Sequence, residues 1–170
     1  MKELQLKDWH PSMRGYFAGS LYNQMINNDK VVVITADLGY GLFDRVRDDF
    51  PARFYNFGAA EQASLGIAVG MAQEGLTPIV YSITPFLLYR GFETLVNYIN
   101  WESTNVKLIG SGRSRDYKMD GRSHWADEAP EVLKLLPNIH THWPDSKEEI
   151  PPILEQIIYS GNPEFISLRR

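Results

Sequence analysis

"NFGAAEQASLGIAVGMAQEG", residues 56–75, decides the reading of the fold. Gly58 opens a turn, small and apolar residues follow, and Gly75 ends the run with Pro78 soon after, which predicts a helix from about Ala59. "RFYNF" (53–57) precedes it and "TPIVYS" (77–82) follows it, and both read as strands. A strand, a helix and a second strand within about thirty residues make a parallel crossover unit.

The same alternation extends in both directions. Upstream, apolar positions at helical spacing predict a helix over 12–28, a strand at "KVVVITAD" (30–37) and a short helix over 42–49. Downstream, the pattern predicts a helix over 85–100, a strand at "NVKLIG" (105–110), a polar loop over 111–123 and a helix over 127–136. Strand 138–142, helix 146–160 and strand "EFISL" (164–168) complete the chain. The expected fold is α/β: a doubly wound, mostly parallel sheet with helices on both faces. Ligands of such sheets sit at the carboxyl ends of the strands. The segments there are "ADLGYG", "NFGAAEQ", "SITPF" and "GSGRSRDYKMDGRSH".

With 170 residues, 44% of them hydrophobic and 22% charged, the chain can bury one ordinary core. A net charge of −4 gives no support for nucleic-acid binding. The absence of cysteine excludes disulfides, thiolate metal sites and thiol catalysis. No run has the length of a signal-peptide core or a membrane span, so a soluble, cytoplasmic protein is expected.

Glu61 stands among Ala59, Ala60, Ala63, Leu65 and Ile67. A glutamate in a first helical turn can serve the helix dipole and the free N–H groups there. The alternative is a carboxyl in a poorly solvated site, where it can exchange a proton near neutral pH. Phe86, Tyr89 and Phe92 recur every three residues after a strand end, either as core aromatics or as a wall for a planar heterocycle. Arg90 lies beside them and could meet an anionic group.

Three further signals are weaker. "GYGLFD" (39–44) is half of a dinucleotide fingerprint and lacks the third glycine. His140 and His142 share a strand face, with no third metal ligand evident nearby. Arg113, Arg115, Lys118 and Arg122 form a basic loop, interrupted by Asp116 and Asp120. That loop is either solvated or placed to take a phosphorylated sugar near His124.

Taken in order, "DLG" (37–39), "FPARFYNFGAAEQ" (50–62), "GIAVGMAQEGLTPIV" (66–80) and "PFLLYRGFE" (85–93) resemble the pyrimidine-binding domain of transketolase-like thiamine diphosphate enzymes, a family that includes deoxyxylulose phosphate synthase. "NVKLIGSG" (105–112) and "DGRSHWADEAPEVLKLLPNI" (120–139) continue the resemblance in the right order. The family usually has "GIAEQ" where this chain has "GAAEQ", and often proline and threonine where it has Arg122 and Ser123.

The resemblance implies a role for each matching residue. Glu61 would hydrogen-bond the pyrimidine N1′ of thiamine diphosphate and favour the tautomer that activates the cofactor. Phe86, Tyr89 and Phe92 would surround the pyrimidine ring. Asp37 would lie near the cofactor and the dimer contact. His124 would contact substrate oxygens and shuttle protons, and Arg90 would reach substrate. Arg122 is a further candidate for substrate, from the basic loop.

The implied activity is that of a transferase moving a two-carbon ketol unit between sugars or sugar phosphates. The "GDG" that the family uses to hold the diphosphate with Mg²⁺ (or Ca²⁺) does not occur here. The expectation is therefore one pyrimidine-binding domain over 1–170, without the diphosphate-binding and carboxyl-terminal domains. A partner subunit would carry the diphosphate and metal. Self-association is expected too, as a homodimer or as a heterotetramer with the partner. Two other readings stand beside this one: a non-catalytic binding or regulatory module that kept the fold, and a subunit of a two-chain 2-oxoacid decarboxylase or synthase.

Overall fold

A computed structural model describes residues 2–5 and 8–170. Six strands form one parallel sheet: β1 Val31–Thr35, β2 Phe54–Asn56, β3 Thr77–Ile83, β4 Lys107–Ser111, β5 His140–His142 and β6 Glu164–Leu168. Their order across the sheet is β2-β1-β3-β4-β6-β5. From β1 the chain first steps outward to β2, then returns to place β3 on the other side of β1. That reversal leaves a crevice beyond the carboxyl ends of β1 and β3, where open α/β sheets bind ligands.

The strands are β-branched and apolar because both faces are covered. Val31, Val33, Ile79, Tyr81, Ile109 and Ile166 point into one core, shared with α1 (Met13–Asn27), α2 (Asp44–Asp49) and α7 (Ile150–Tyr159). Ile34, Val80, Leu108 and Phe165 point into the other. There they meet α3 (Glu61–Gln73), α4 (Thr84–Tyr89) and α6 (Ala129–Lys134). The alternation along each strand sends neighbouring residues to opposite cores.

The structure differs from the sequence reading in three places. The helix expected over 85–100 is broken into α4, a short turn α5 (Phe92–Thr94) and a π-helical stretch Leu95–Asn100. The break falls at Gly91, where a Cβ would lie 2.5 Å from Leu65 Cδ1 of α3. The two segments approach closely at this glycine, which also carries the lowest helix propensity after proline. The loop after β4 is ordered by a Ser114–Ala126 bridge and two 3₁₀ turns, Lys118–Asp120 and Arg122–His124. Strand β2 is shorter than the run that predicted it and forms one edge of the sheet. Among the described residues, no helix is long and apolar enough to cross a membrane.

Candidate functional site

Glu61 opens α3 with only 3% of its surface exposed. Its carboxylate caps no backbone N–H among the described residues; both oxygens instead accept from Arg90 Nη1, at 2.8 and 2.9 Å. The two residues are 29 apart in sequence and meet because the Gly91 break lets the end of α4 close onto α3. A buried carboxylate requires such a partner. The positive end of the α3 dipole adds to its stability.

Phe86 lies under the same guanidinium, whose central carbon is 3.7 Å from the ring centroid. His124, delivered by the loop after β4, meets Phe86 edge-on with 4.8 Å between centroids. His124 Nδ1 is 3.0 Å from Ser123 Oγ. Glu61, Arg90, Phe86 and His124 thus form one contiguous cluster, built by segments that follow β2, β3 and β4.

The other two aromatics do not join it. Tyr89 is exposed, and Phe92, beyond the Gly91 break, packs against the second core. The three-residue periodicity placed these rings on one helical face, but the helix does not continue through them. Asp37 also stands apart, at the end of β1. Its φ is +56°, its N–H donates to Asn56 Oδ1 at 2.9 Å, and its carboxylate accepts from the Tyr40 hydroxyl. An aspartate held at positive φ at a strand end is a strained feature of the kind that collects at functional sites. The Tyr40 hydroxyl is pushed above its ordinary range, chiefly by that hydrogen bond to Asp37.

Three cations of the basic loop are paired within the domain. Arg122 bonds Glu128, Arg115 bonds Asp127, and Arg113 reaches Asp145, the Pro144 carbonyl and Ser167. Burial holds the Arg113 guanidinium below its ordinary range, and its bonds to Ser167 and the Pro144 carbonyl brace the loop against β6. Arg122 is paired with Glu128 at the surface and, among the described residues, makes no hydrogen bond to the Glu61 cluster.

A cavity of about 380 Å³ lies beyond the ends of β1, β3 and β4. Arg14, Tyr40, Tyr81, Ser111 and Tyr117 are among its walls. Arg14 Nε is buried there with no hydrogen-bond partner among the described residues. Ser111 Oγ and the Tyr117 hydroxyl are 2.9 Å apart. Burial raises the Tyr81 hydroxyl above its usual range. Tyr117 links the cavity to the cluster, since its ring centroid is 6.2 Å from that of His124. The sequence reading passed over Arg14. Its signal was a cation in the first turn of a helix, where the dipole disfavours positive charge. The "GYGLFD" segment walls this cavity through Gly39, Tyr40, Gly41 and Leu42.

At the opposite end of the sheet, His142 Nε2 lies 2.8 Å from Glu164 Oε2, and His140 Nδ1 is 3.5 Å from Oε1. No group of three or more metal-binding side chains occurs among the described residues.

A doubly wound parallel sheet, with a buried acid, an aromatic face and a histidine gathered beyond its strand ends, defines an α/β domain of the doubly wound class. The transketolase pyrimidine-binding domain family matches residues 10–170, and the chain belongs to that family. The 6-deoxy-6-sulfo-D-fructose transketolase subunit SqwH of Clostridium sp. (strain MSTE9) is 24% identical over 93% of this chain and 49% of its own length. The 1-deoxy-D-xylulose-5-phosphate synthase of Halalkalibacterium halodurans is 31% identical over 95% of this chain and 26% of its own length. A solved structure described as a split gene transketolase, inactive beta4 tetramer, superposes with a TM-score of 0.82 at 28% identity, covering 94% of this chain and 51% of that one. Transketolase from Campylobacter jejuni shares the fold, with a TM-score of 0.83 at 19% identity over 93% of this chain and 25% of that one. The chain therefore spans about half, or less, of the length of these relatives.

Proposed function

We propose that this chain is the pyrimidine-binding subunit of a split, thiamine diphosphate-dependent transketolase-like transferase. The observation that carries the reading is the buried Glu61 carboxylate, joined through the Arg90 guanidinium to the Phe86 ring face, which in turn meets His124. A planar, hydrogen-bonding cation already lies on Phe86 and against Glu61, so this slot accepts a flat nitrogen heterocycle in both shape and chemistry.

Thiamine diphosphate, when bound, supplies the carbanion chemistry needed to move a two-carbon ketol unit. This chain's residues do the rest. Phe86 carries the pyrimidine face. Glu61 holds a proton against the ring nitrogen N1′, in a site dry enough for the proton to be shared. His124 gives and takes protons at substrate oxygens. Arg14, Tyr81 and Ser111 orient a hydroxyl-rich or anionic substrate in the adjoining cavity. Roles at the cofactor for Asp37, Tyr89 and Phe92, and at the substrate for Arg122, have less geometric support.

The chain acts as a single domain, and a partner subunit carries the diphosphate and Mg²⁺. Self-association through α3 is part of the same reading. Its outer face exposes Ala63, Gly66, Ile67 and Gly70, and a Cβ on either glycine would meet nothing within 4 Å. Small residues of this kind admit a second backbone closely.

Mixing the chain with a diphosphate-domain partner, thiamine diphosphate and Mg²⁺ tests the proposal. Ketol transfer should arise only in the mixture. Full turnover by the isolated chain, or none in any mixture that assembles, would overturn the split-enzyme reading.

A further inference from the structure

The Arg90 guanidinium makes both contacts that the proposed function assigns to the cofactor's aminopyrimidine. It is planar, its central carbon lies over the Phe86 ring 3.7 Å from the centroid, and it donates to both oxygens of Glu61. A ring laid on that face of Phe86 has to displace the guanidinium, and with it the donor that now holds both oxygens of Glu61. We propose that Arg90 is an internal stand-in for the pyrimidine, which competes with the cofactor for the slot and sets the affinity of this subunit for it. This inference rests on the proposed function.

Two features make the exchange workable. Glu61 is 3% exposed, and an unpaired carboxylate is costly at that depth. The guanidinium satisfies it until a ring nitrogen, with its shared proton, takes over. Glu61 therefore passes from one partner to the next and is never left bare. Arg90 is also free to leave. Its side chain is 44% exposed, both of its bonds to Glu61 come from the single nitrogen Nη1, and it sits at the end of α4 beside the Gly91 break. One side-chain rotation breaks both bonds and the stack together.

When the binding-competent state is populated only fractionally, apparent affinity falls by that fraction. A slot open for about a tenth of the time or less weakens binding about tenfold or more.

The test measures binding of thiamine, which lacks the diphosphate and so reports the pyrimidine contact, to the full chain by calorimetry. Wild type, Arg90→Met and Arg90→Lys are compared, with each fold checked by circular dichroism. Arg90→Met should bind thiamine about tenfold or more tightly than wild type. Millimolar guanidinium, against a matched sodium chloride control, should weaken binding to this variant by refilling the slot. Arg90→Lys keeps the charge but not the flat face, and should fall between the two. If Arg90→Met does not fold, a gain in Arg90→Lys supports the stand-in and no gain overturns it. Equal or weaker thiamine binding in folded Arg90→Met overturns the stand-in and leaves the proposed function intact. No thiamine binding by any folded variant overturns both.

Discussion

Two glutamates in this domain are each 3% exposed, Glu61 at the carboxyl ends of the strands and Glu164 at the amino ends. Burial is the same, but their surroundings are not. Glu164 lies inside β6, between β4 and β5, with Lys107 and His140 opposite it in register. Its partner His142 is largely buried, at 19% side-chain exposure. Lys107 in turn is fully buried and donates to Ser160 Oγ and the Asn162 carbonyl. Every member of that cluster is fixed by the backbone ladder or by another buried group. Glu61 sits at the first turn of a helix, and its partner Arg90 is 44% exposed. A buried acid is therefore not by itself a sign of chemistry. What separates the two is whether the partner can be exchanged without unfolding the site.

Breaking the locked end should produce the largest effect. Glu164→Ala removes the buried acceptor of His142 and the negative charge that favours the Lys107 ammonium, and should destabilise the fold by about 4 kcal/mol, the range for removing one member of a buried pair. Activity per folded molecule in the proposed two-chain assembly should be unchanged. Denaturant melts measure the first and active-site-normalised rates the second. A stable Glu164→Ala variant would erase the distinction between the two ends.

The next effect is a pH dependence at the same end. Burial lowers the Lys107 amine from 10.5 to about 8, only partly offset by Glu164. Between these values the unfolded chain holds the proton and the folded one does not, so stability rises with pH across that window. The rise should be roughly 3 kcal/mol, complete near the unfolded value, with the full penalty present below about 8. It should be absent from Lys107→Met, so that subtracting that variant's stability profile from the wild-type profile isolates the rise. A difference profile flat from pH 7 to 10.5 would show that the amine titrates normally.

At the exchangeable end, Phe86→Leu keeps apolar bulk and removes the ring. Thiamine binding should weaken by about 1 kcal/mol, the scale of an aromatic contact beyond its area, with little change in the melt. A large loss of stability instead would place Phe86 with the core aromatics. The smallest effect is expected for Arg122→Ala, because its pair with Glu128 is exposed at the surface. Its melting temperature should match wild type, and a clear drop would mean that this pair braces the loop.

The sequence made the locked end easier to read than the exchangeable one. "KVVVITAD", "TPIVYS", "NVKLIG" and "EFISL" are apolar runs of strand length, and each holds a strand. Their alternation with helical segments was enough for the layer order. Glu61 was visible as an acid among alanines. Its pairing with Arg90 was not, because it depends on a close approach at Gly91 that only the assembled α3 and α4 create. The same contact breaks the helix on which Phe86, Tyr89 and Phe92 would have shared a face. Lys107 lay in plain view within a buried strand, but its partners are 53 and 55 residues away. Arg14 and Tyr117 join one cavity only after β1, β3 and β4 align their ends. Contacts set by local periodicity were legible; those set by tertiary closure were not.

The central claim is that Glu61 handles a proton for the cofactor. Exchange of the thiazolium C2 proton of thiamine diphosphate, followed by NMR in the complex with the diphosphate-domain partner, tests it most directly. Glu61→Gln keeps the size and one hydrogen-bonding oxygen but cannot share the proton, and a neutral amide is easier to bury than an anion. The folded variant should exchange roughly 10²-fold more slowly than wild type, or slower still. Exchange at the wild-type rate in folded Glu61→Gln would contradict the account and leave Glu61 as a structural partner of Arg90.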